Sequence, residues 1–264
     1  MVWYNEMLKM YKPIVTMPPS VRLAFSSVED GSIAAGGGRP SLPKHEANAE
    51  KFLQAHGFES SGRAKVFVTY LPHNTYTHIE RVDESAVGAI KSDALFTTVH
   101  DKTITLPVAD CIATVVYDPM VNMLAVLHLG RHASVAGLIE EFAVRVADEL
   151  GSDPRDWYVW MSPSLKPDHD VMDYFDPPRP EEWRGFMTTR DDGKIHIDIP
   201  GHNRERFERL GVPQAHISIS PLNTYTDERY FSHRAATELN RPDRQGRQMV
   251  AAMMIPTGSD PIGI

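Results

Sequence analysis

Cys111 is the only cysteine in the chain, and it lies where a reactive sulfur or a metal ligand would be useful. It follows Leu106-Pro107-Val108-Ala109-Asp110 and opens an apolar run over residues 112–117. An Asp118-Pro119-Met120 turn comes next, then a second apolar run over 123–127 that ends on His128-Leu129-Gly130. Two such runs joined by a short turn read as a hairpin, in which the start of one strand lies beside the end of the other. Seventeen residues apart in sequence, the Cys111 thiol and the His128 imidazole would meet at one end of a sheet. Sulfur beside imidazole is half of a zinc or copper site. The same pair is also a nucleophile with its base. A lone cysteine serves equally as a small apolar core residue, and a histidine at a strand end as a hydrogen-bonded structural group. The pair alone leaves these readings open.

A catalytic zinc site takes three protein ligands and keeps one position free. His73, in Leu71-Pro72-His73-Asn74-Thr75 at the end of a strand predicted over 65–71, is the candidate third ligand, and His78 is its rival. The chain has 12 histidines, so proximity to a strand end singles out neither.

The elements that must position these groups read as a layered α+β arrangement. Residues 1–20 form an arm whose Trp3, Tyr4 and Tyr11 would pack on the body, and residues 21–264 one domain. Strands are predicted over 21–26, 65–71, 79–82, 94–98, 157–161, 194–199, 216–220 and 248–255, beside the hairpin. A helix over 44–56 ends at Gly57, and one over 202–210 ends at Gly211. Between them a helix is predicted from Ser134, as N-cap, to Gly151, with Val135, Leu138, Ile139, Phe142 and Val146 as its apolar stripe. The loop over 31–43 holds Gly36-Gly37-Gly38 but no following Gly-Lys-Ser/Thr, so it reads as a surface connection and not a phosphate cradle. Mixed strands and helices without a fixed repeat imply a single layered α/β sandwich of mixed sheets with flanking helices.

Composition narrows the function. At 264 residues with 42% apolar and 23% charged side chains, the chain can bury a sizeable core. A formal net charge of −8 leaves no basic face to neutralise phosphates, so nucleic acid is not an expected partner. No run approaches the roughly 18 apolar residues of a spanning helix, and residues 1–6 lack a basic secretory n-region. A cytoplasmic protein acting on a small molecule is the expectation, and one cysteine fits a reducing compartment.

Several motifs then resemble one family, the laccase-domain proteins, also called multicopper polyphenol oxidase-like or purine nucleoside phosphorylase proteins. Ala109-Asp110-Cys111 and His128-Leu129-Gly130 resemble its Ala-Asp-Cys and His-Ala-Gly elements at the family's separation. Ser92-Asp93-Ala94-Leu95-Phe96-Thr97 is similar to its Asp-Ala-Leu-Val-Thr strand, and His73-Asn74-Thr75 to its His-Gly-Thr. Asn223-Thr224-Tyr225-Thr226-Asp227, Phe231-Ser232-His233-Arg234 and Gln245-Gly246-Arg247 resemble its C-terminal motifs, and Phe25-Ser26-Ser27 an N-terminal one. The resemblance runs from about residue 21 to 255. It implies a layered α/β fold and a His-Cys-His metal centre at His73, Cys111 and His128, with zinc as the metal and copper as the alternative. It also implies purine nucleoside chemistry: phosphorolysis of the glycosidic bond, adenosine deamination, or both. Asp110 would orient a ligand imidazole if it points inward, or act as a strand-entry turn carboxylate. Tyr225 and Arg234 become candidate substrate contacts by resemblance.

The chain departs from the pattern in places. Arg131-His132 replaces Trp-Arg after the His-x-Gly element, and Val28 replaces the Arg of Phe-Ser-Thr-Arg. Asp168-His169-Asp170 replaces Cys-Cys-Tyr, and Asn223 replaces the Cys before Thr-Tyr. Phosphorolysis needs a cationic clamp for phosphate, so it loses more by these changes than hydrolysis or deamination does. Arg131, Arg39 and Arg234 are the cations left to supply the clamp. The cluster Asp168, His169, Asp170 and Asp173, between Pro167 and Pro177, reads as a solvated loop in preference to a second metal site. Two alternatives compete with a zinc nucleoside enzyme: a metal-free cysteine hydrolase or amidase with Cys111 as nucleophile and His128 as base, and a non-catalytic member that binds a partner. A copper phenol oxidase has least support, since one Cys and two His do not build a multi-copper cluster.

Overall fold

A computed structural model describes residues 17–35, 41–60, 62–67 and 75–256. Most of the expected arm, the triple glycine, Arg39, the end of the strand expected over 65–71, and His73 lie outside the described residues.

Strand β1 (Val21–Phe25) leads to helix α1 (Pro43–Ala55) and strand β2 (Ala64–Phe67). Next come β3 (Ile79–Arg81), β4 (Gly88–Lys91), β5 (Ala94–Thr97) and β6 (Ile104–Val108). The hairpin is β7 (Ile112–Asp118) and β8 (Met123–Leu129), followed by helices α2 (Arg131–Ala136) and α3 (Leu138–Leu150). Strands β9 (Tyr158–Met161) and β10 (Val171–Met172) precede the short helix α4 (Pro180–Trp183). Then come β11 (Met187–Thr189), β12 (Ile195–Ile197), helix α5 (Ile199–Arg209) and β13 (Ile217–Ile219). Helix α6 (His233–Glu238) and β14 (Gln248–Met254) complete the order.

Two mixed sheets, ordered β1-β14-β6-β2-β4 and β13-β9-β7-β8-β5-β3, stack face to face, and β10-β12-β11 forms a small antiparallel third. Period-two alternation explains the layers. Val250 and Ala252 of β14 face inward, where they join Ile104, Val115, Val126 and Trp160 between the sheets. Met249, Ala251 and Met253 face outward onto Phe52 and Leu53 of α1. On the far side of the second sheet, Val116, Ala125 and Leu127 meet Phe142 and Val146 of α3 and Phe207 of α5. Strands β7 and β8 are covered on both faces, which is why their sequences read as unbroken apolar runs. The layered sandwich expected from the sequence is the fold observed.

The hairpin turn is fastened by one buried carboxylate. Asp118 accepts from the Met120 N–H (2.8 Å) and the Ser152 hydroxyl (2.5 Å), and Ser152 in turn accepts from the Trp157 indole N–H (2.8 Å). The helix after the hairpin differs from expectation. It begins at Arg131, and Gly137 at φ 84 breaks it into α2 and α3. Ser134 is inside α2, its hydroxyl donating to the Gly130 carbonyl four residues back, so it is not an N-cap. A glycine that can enter the left-handed region ends one helix and starts the next. Strands β4, β6, β10 and β11 are elements that the sequence pattern did not separate from loops.

Candidate active site

The chain passes from the first sheet to the second between β6 and β7, and Asp110 makes that corner with φ 69. Its carboxylate accepts from the Thr224 hydroxyl (2.7 Å) and the Arg234 N–H (2.8 Å), and its carbonyl accepts from the Leu165 N–H (2.9 Å). Asp110 therefore ties three distant segments to the corner. Both carboxylate oxygens are engaged in this work, which is that of a turn carboxylate.

Hairpin register places the two chemical side chains together. Ala113 pairs with His128 and Ile112 with Leu129, so the register brings Cys111 opposite Gly130, on the face that carries His128. A Cβ added at Gly130 would stand 2.8 Å from the Cys111 sulfur and 3.5 Å from His128 Cε1. Sulfur and imidazole thus face one point, held open by the missing side chain. Gly130 has extended φ and ψ (−93 and 175), so space and not backbone freedom is what this position requires.

The electrostatics of the pair oppose charge on either group. Burial pushes the Cys111 thiol up to about 12, with Asp110 adding to the effect and Arg247 and Arg131 opposing it. Burial pushes His128 down to about 4, reinforced by Arg247 and His132. A preformed thiolate–imidazolium pair is therefore disfavoured on both sides. His128 is held by its backbone N–H to the Asp93 carbonyl (2.9 Å), and its buried Nδ1 has no hydrogen-bond partner among the described residues. A neutral imidazole with an unclaimed nitrogen beside a sulfur suits a metal, whose charge would itself enforce the thiolate.

The histidines proposed as third ligand separate. His78 turns its ring to the Glu80 carboxylate at 2.8 Å on the exposed surface. His73 lies outside the described residues. Three residues on, Tyr76 stacks on His132 with centroids 4.7 Å apart, and His132 lines the cavity at Cys111. Among the described residues no three His, Cys, Asp or Glu groups form a metal cluster.

That cavity measures about 620 Å³ and opens at the corner between the sheets. Arg131 at the start of α2, Arg234 at the start of α6 and Arg247 just before β14 all line it. Arg247 is brought there because Gln248 pairs with Val108 at the end of β6. The Arg131 guanidinium donates to Met172 Sδ (2.9 Å) and that of Arg247 to the Gly246 carbonyl (2.6 Å). Neither is in an ion pair among the described residues. Arg234 is more committed, donating to the Val171 carbonyl (2.8 Å) and pairing with Glu238 (3.0 Å). Tyr225 does not line the cavity; it stacks on His169 with centroids 4.2 Å apart.

The solvated loop expected at 168–173 holds for Asp168, which is exposed and paired with Arg190 (2.7 Å), but not for Asp170. Asp170 is 8% exposed and lines the cavity. The β10–β12 pairing and an Ile197 N–H bond to its carbonyl (3.0 Å) draw it inward. Sequence reasoning set Asp170 aside as loop and noted Arg247 only within the Gln245-Gly246-Arg247 motif, so it assigned neither to this cavity. For Asp170 the only local signal was the apolar Val171-Met172 directly after it, too short to read as a strand.

The comparisons agree with this architecture. The family model described as "Multi-copper polyphenol oxidoreductase laccase" matches residues 44–255, and the chain belongs to that family. A purine nucleoside phosphorylase of Bacteroides thetaiotaomicron is 26% identical over 148 residues, 54% of this chain and 55% of that protein. Purine nucleoside phosphorylase YlmD of Geobacillus stearothermophilus is 27% identical over 152 residues, 54% of each chain. The matched stretch thus spans about half the length of these two relatives. Among solved structures, YlmD from Geobacillus stearothermophilus superposes with a TM-score of 0.74 at 18% identity, covering 90% of this chain and 93% of that one. The Bacillus licheniformis protein YfiH gives 0.72 at 17% identity, over 89% and 92%. These two establish the shared fold.

Proposed function

We propose that this chain cleaves purine nucleosides by phosphorolysis in the cavity at Cys111. The observation that carries the reading is the pair Arg131 and Arg247, two guanidinium groups without carboxylate partners in one cavity beside Cys111. The names of the relatives support the substrate class. Pockets for small ligands run from about 300 to 1,000 Å³, and about 620 Å³ fits a nucleoside with phosphate. The departures seen in sequence weakened the expected phosphate clamp, and the geometry supports a replacement built from Arg131 and Arg247, with Arg234 adjoining.

Cys111 and His128 would hold zinc, with His73 as third ligand, a soft-and-borderline donor set that suits zinc and also admits copper. Bound there, the metal would supply a Lewis acid close to the reacting centre. The protein's own groups do the rest. Arg131 and Arg247 bind phosphate by charge-assisted hydrogen bonds and hold it for attack on the ribose C1′. Ile112, Leu129, Leu165, Ile199 and Pro200 supply apolar wall against which sugar and base can lie. Adenosine deamination is an additional reaction of the same site in this reading, independent of the arginines.

The test is base release from inosine, guanosine and adenosine with and without phosphate, alongside elemental analysis of the purified protein. Release should require phosphate, and Arg131→Ala or Arg247→Ala should raise the KM for phosphate by roughly 10-fold or more, as loss of a charge-assisted hydrogen bond does. Equal release without phosphate would replace phosphorolysis by hydrolysis. No release and no ammonia from any nucleoside would remove the reading.

A further inference from the structure

We infer that Asp170 is the acid that hands a proton to the departing purine, an assignment that rests on the nucleoside reading above. Its carboxyl is buried at the wall of the cavity that holds Cys111, Arg131 and Arg247. The segment that carries it is fastened at both ends: Leu165 N–H donates to the Asp110 carbonyl, and β10 pairs with β12. The one ion pair of the Asp170 side chain among the described residues is to Arg234 Nη2 at 3.7 Å, with no N–H or O–H donor at hydrogen-bond distance.

A desolvated carboxyl without donors around it favours its neutral form. Burial pushes Asp170 up to about 6, Asp110 adds to the rise, and Arg234 and Arg131 oppose it. The charged groups that face it therefore come from the start of α6, the start of α2 and the β6–β7 corner. On the neighbouring β12, His196 is engaged with the Pro167 carbonyl (2.9 Å), and His169 is within 2.9 Å of the Asn223 amide. Asp170 thus keeps a protonated fraction near neutral pH, and after donation its carboxylate faces Arg234. An acid of that strength is near the optimum for proton transfer at physiological pH.

The step balances. A phosphate oxygen forms the bond to C1′, the C1′–N9 bond breaks, and its electron pair enters the purine ring. The Asp170 proton goes to N7, so the base leaves neutral. The proton lost by hydrogen phosphate, returned to Asp170 through solvent, equals the one the base gains.

Leaving-group dependence tests the assignment. Inosine needs a proton on its base to depart, whereas 7-methylguanosine already carries the positive charge on the imidazole ring. In the zinc-loaded full-length protein, Asp170→Asn should lower kcat on inosine by about 100-fold, a typical general-acid contribution, and cost far less on 7-methylguanosine. Asp170→Glu, which keeps the acid, should recover part of the inosine rate; it stands in if the Asn variant does not fold by thermal melting. Equal losses on both substrates would make Asp170 a binding or structural group and overturn the assignment, as would no loss on either. A wild-type protein silent on both substrates would instead sink the nucleoside reading beneath it.

Discussion

His128 and His202 share nearly every property that usually flags a functional histidine. Both are buried, both are pushed down to about 4 chiefly by burial, and each has ring nitrogen without a partner in hydrogen-bond geometry. What they face differs. His202, on α5, lies flat on Trp183 with centroids 3.7 Å apart and meets the edge of Phe186 at 5.5 Å. His128 ends a strand and shares the point above Gly130 with the only sulfur of a cysteine. Burial and a lowered pKa therefore do not define a site. Convergence of a second donor on an open cavity does.

Exchanging each ring for a methyl group should separate the two. His128→Ala and Cys111→Ala should each abolish zinc binding, measured by elemental analysis, and reduce base release by more than the roughly 10–100-fold that loss of a merely supporting group costs. His202→Ala should leave zinc content unchanged and instead lower stability by about 3 kcal/mol in denaturant titration, the scale for emptying an aromatic-lined core position. Zinc loss from His202→Ala, or zinc retention by His128→Ala, would reverse the comparison. His202 also carries a pH signature. Its folded pKa lies below the unfolded value, so its contribution to stability is present above about 6.5 and is lost as pH falls toward 4, where the unfolded ring has taken a proton that the folded ring refuses. His202→Phe should flatten that limb.

Gly130→Ala is a finer probe. Its backbone is compatible with any residue, but the new methyl group would stand 2.8 Å from the Cys111 sulfur. Zinc affinity should drop while the fold persists at a cost of about 1–3 kcal/mol, as for other overpacked sites. Unchanged zinc affinity would mean the sulfur is not held at that point. Smallest of all is His78→Ala. Its ring faces Glu80 at the surface, where such pairs contribute about 0–1 kcal/mol, so neither zinc content nor turnover should move.

Much of the hairpin was legible from residues near one another in sequence. Two apolar runs around Asp118-Pro119 define the register, and the register puts Cys111 beside His128 without reference to anything further away. Gly57 and Gly151 ended their helices as expected, at φ 70 and 69. Gly137 did not announce itself, because the apolar stripe continues across it from Val135 to Val146 while the backbone breaks. The 168–173 loop misled for a related reason. Charged residues between prolines look solvated, yet pairing with β12, more than twenty residues downstream, turns Asp170 inward and leaves Asp168 outside.

The sulfur–imidazole pair, then, was determined by the sequence alone, since period-two alternation and a short turn decide which neighbouring side chains share a face. The cavity around it was decided only by tertiary structure. Arg131, Asp170, Arg234 and Arg247 come from the start of one helix, the entry to a short edge strand, the start of another helix and the entry to the last strand. They meet because the chain crosses between two stacked sheets at Asp110, and no local pattern encodes which distant segments such a corner gathers.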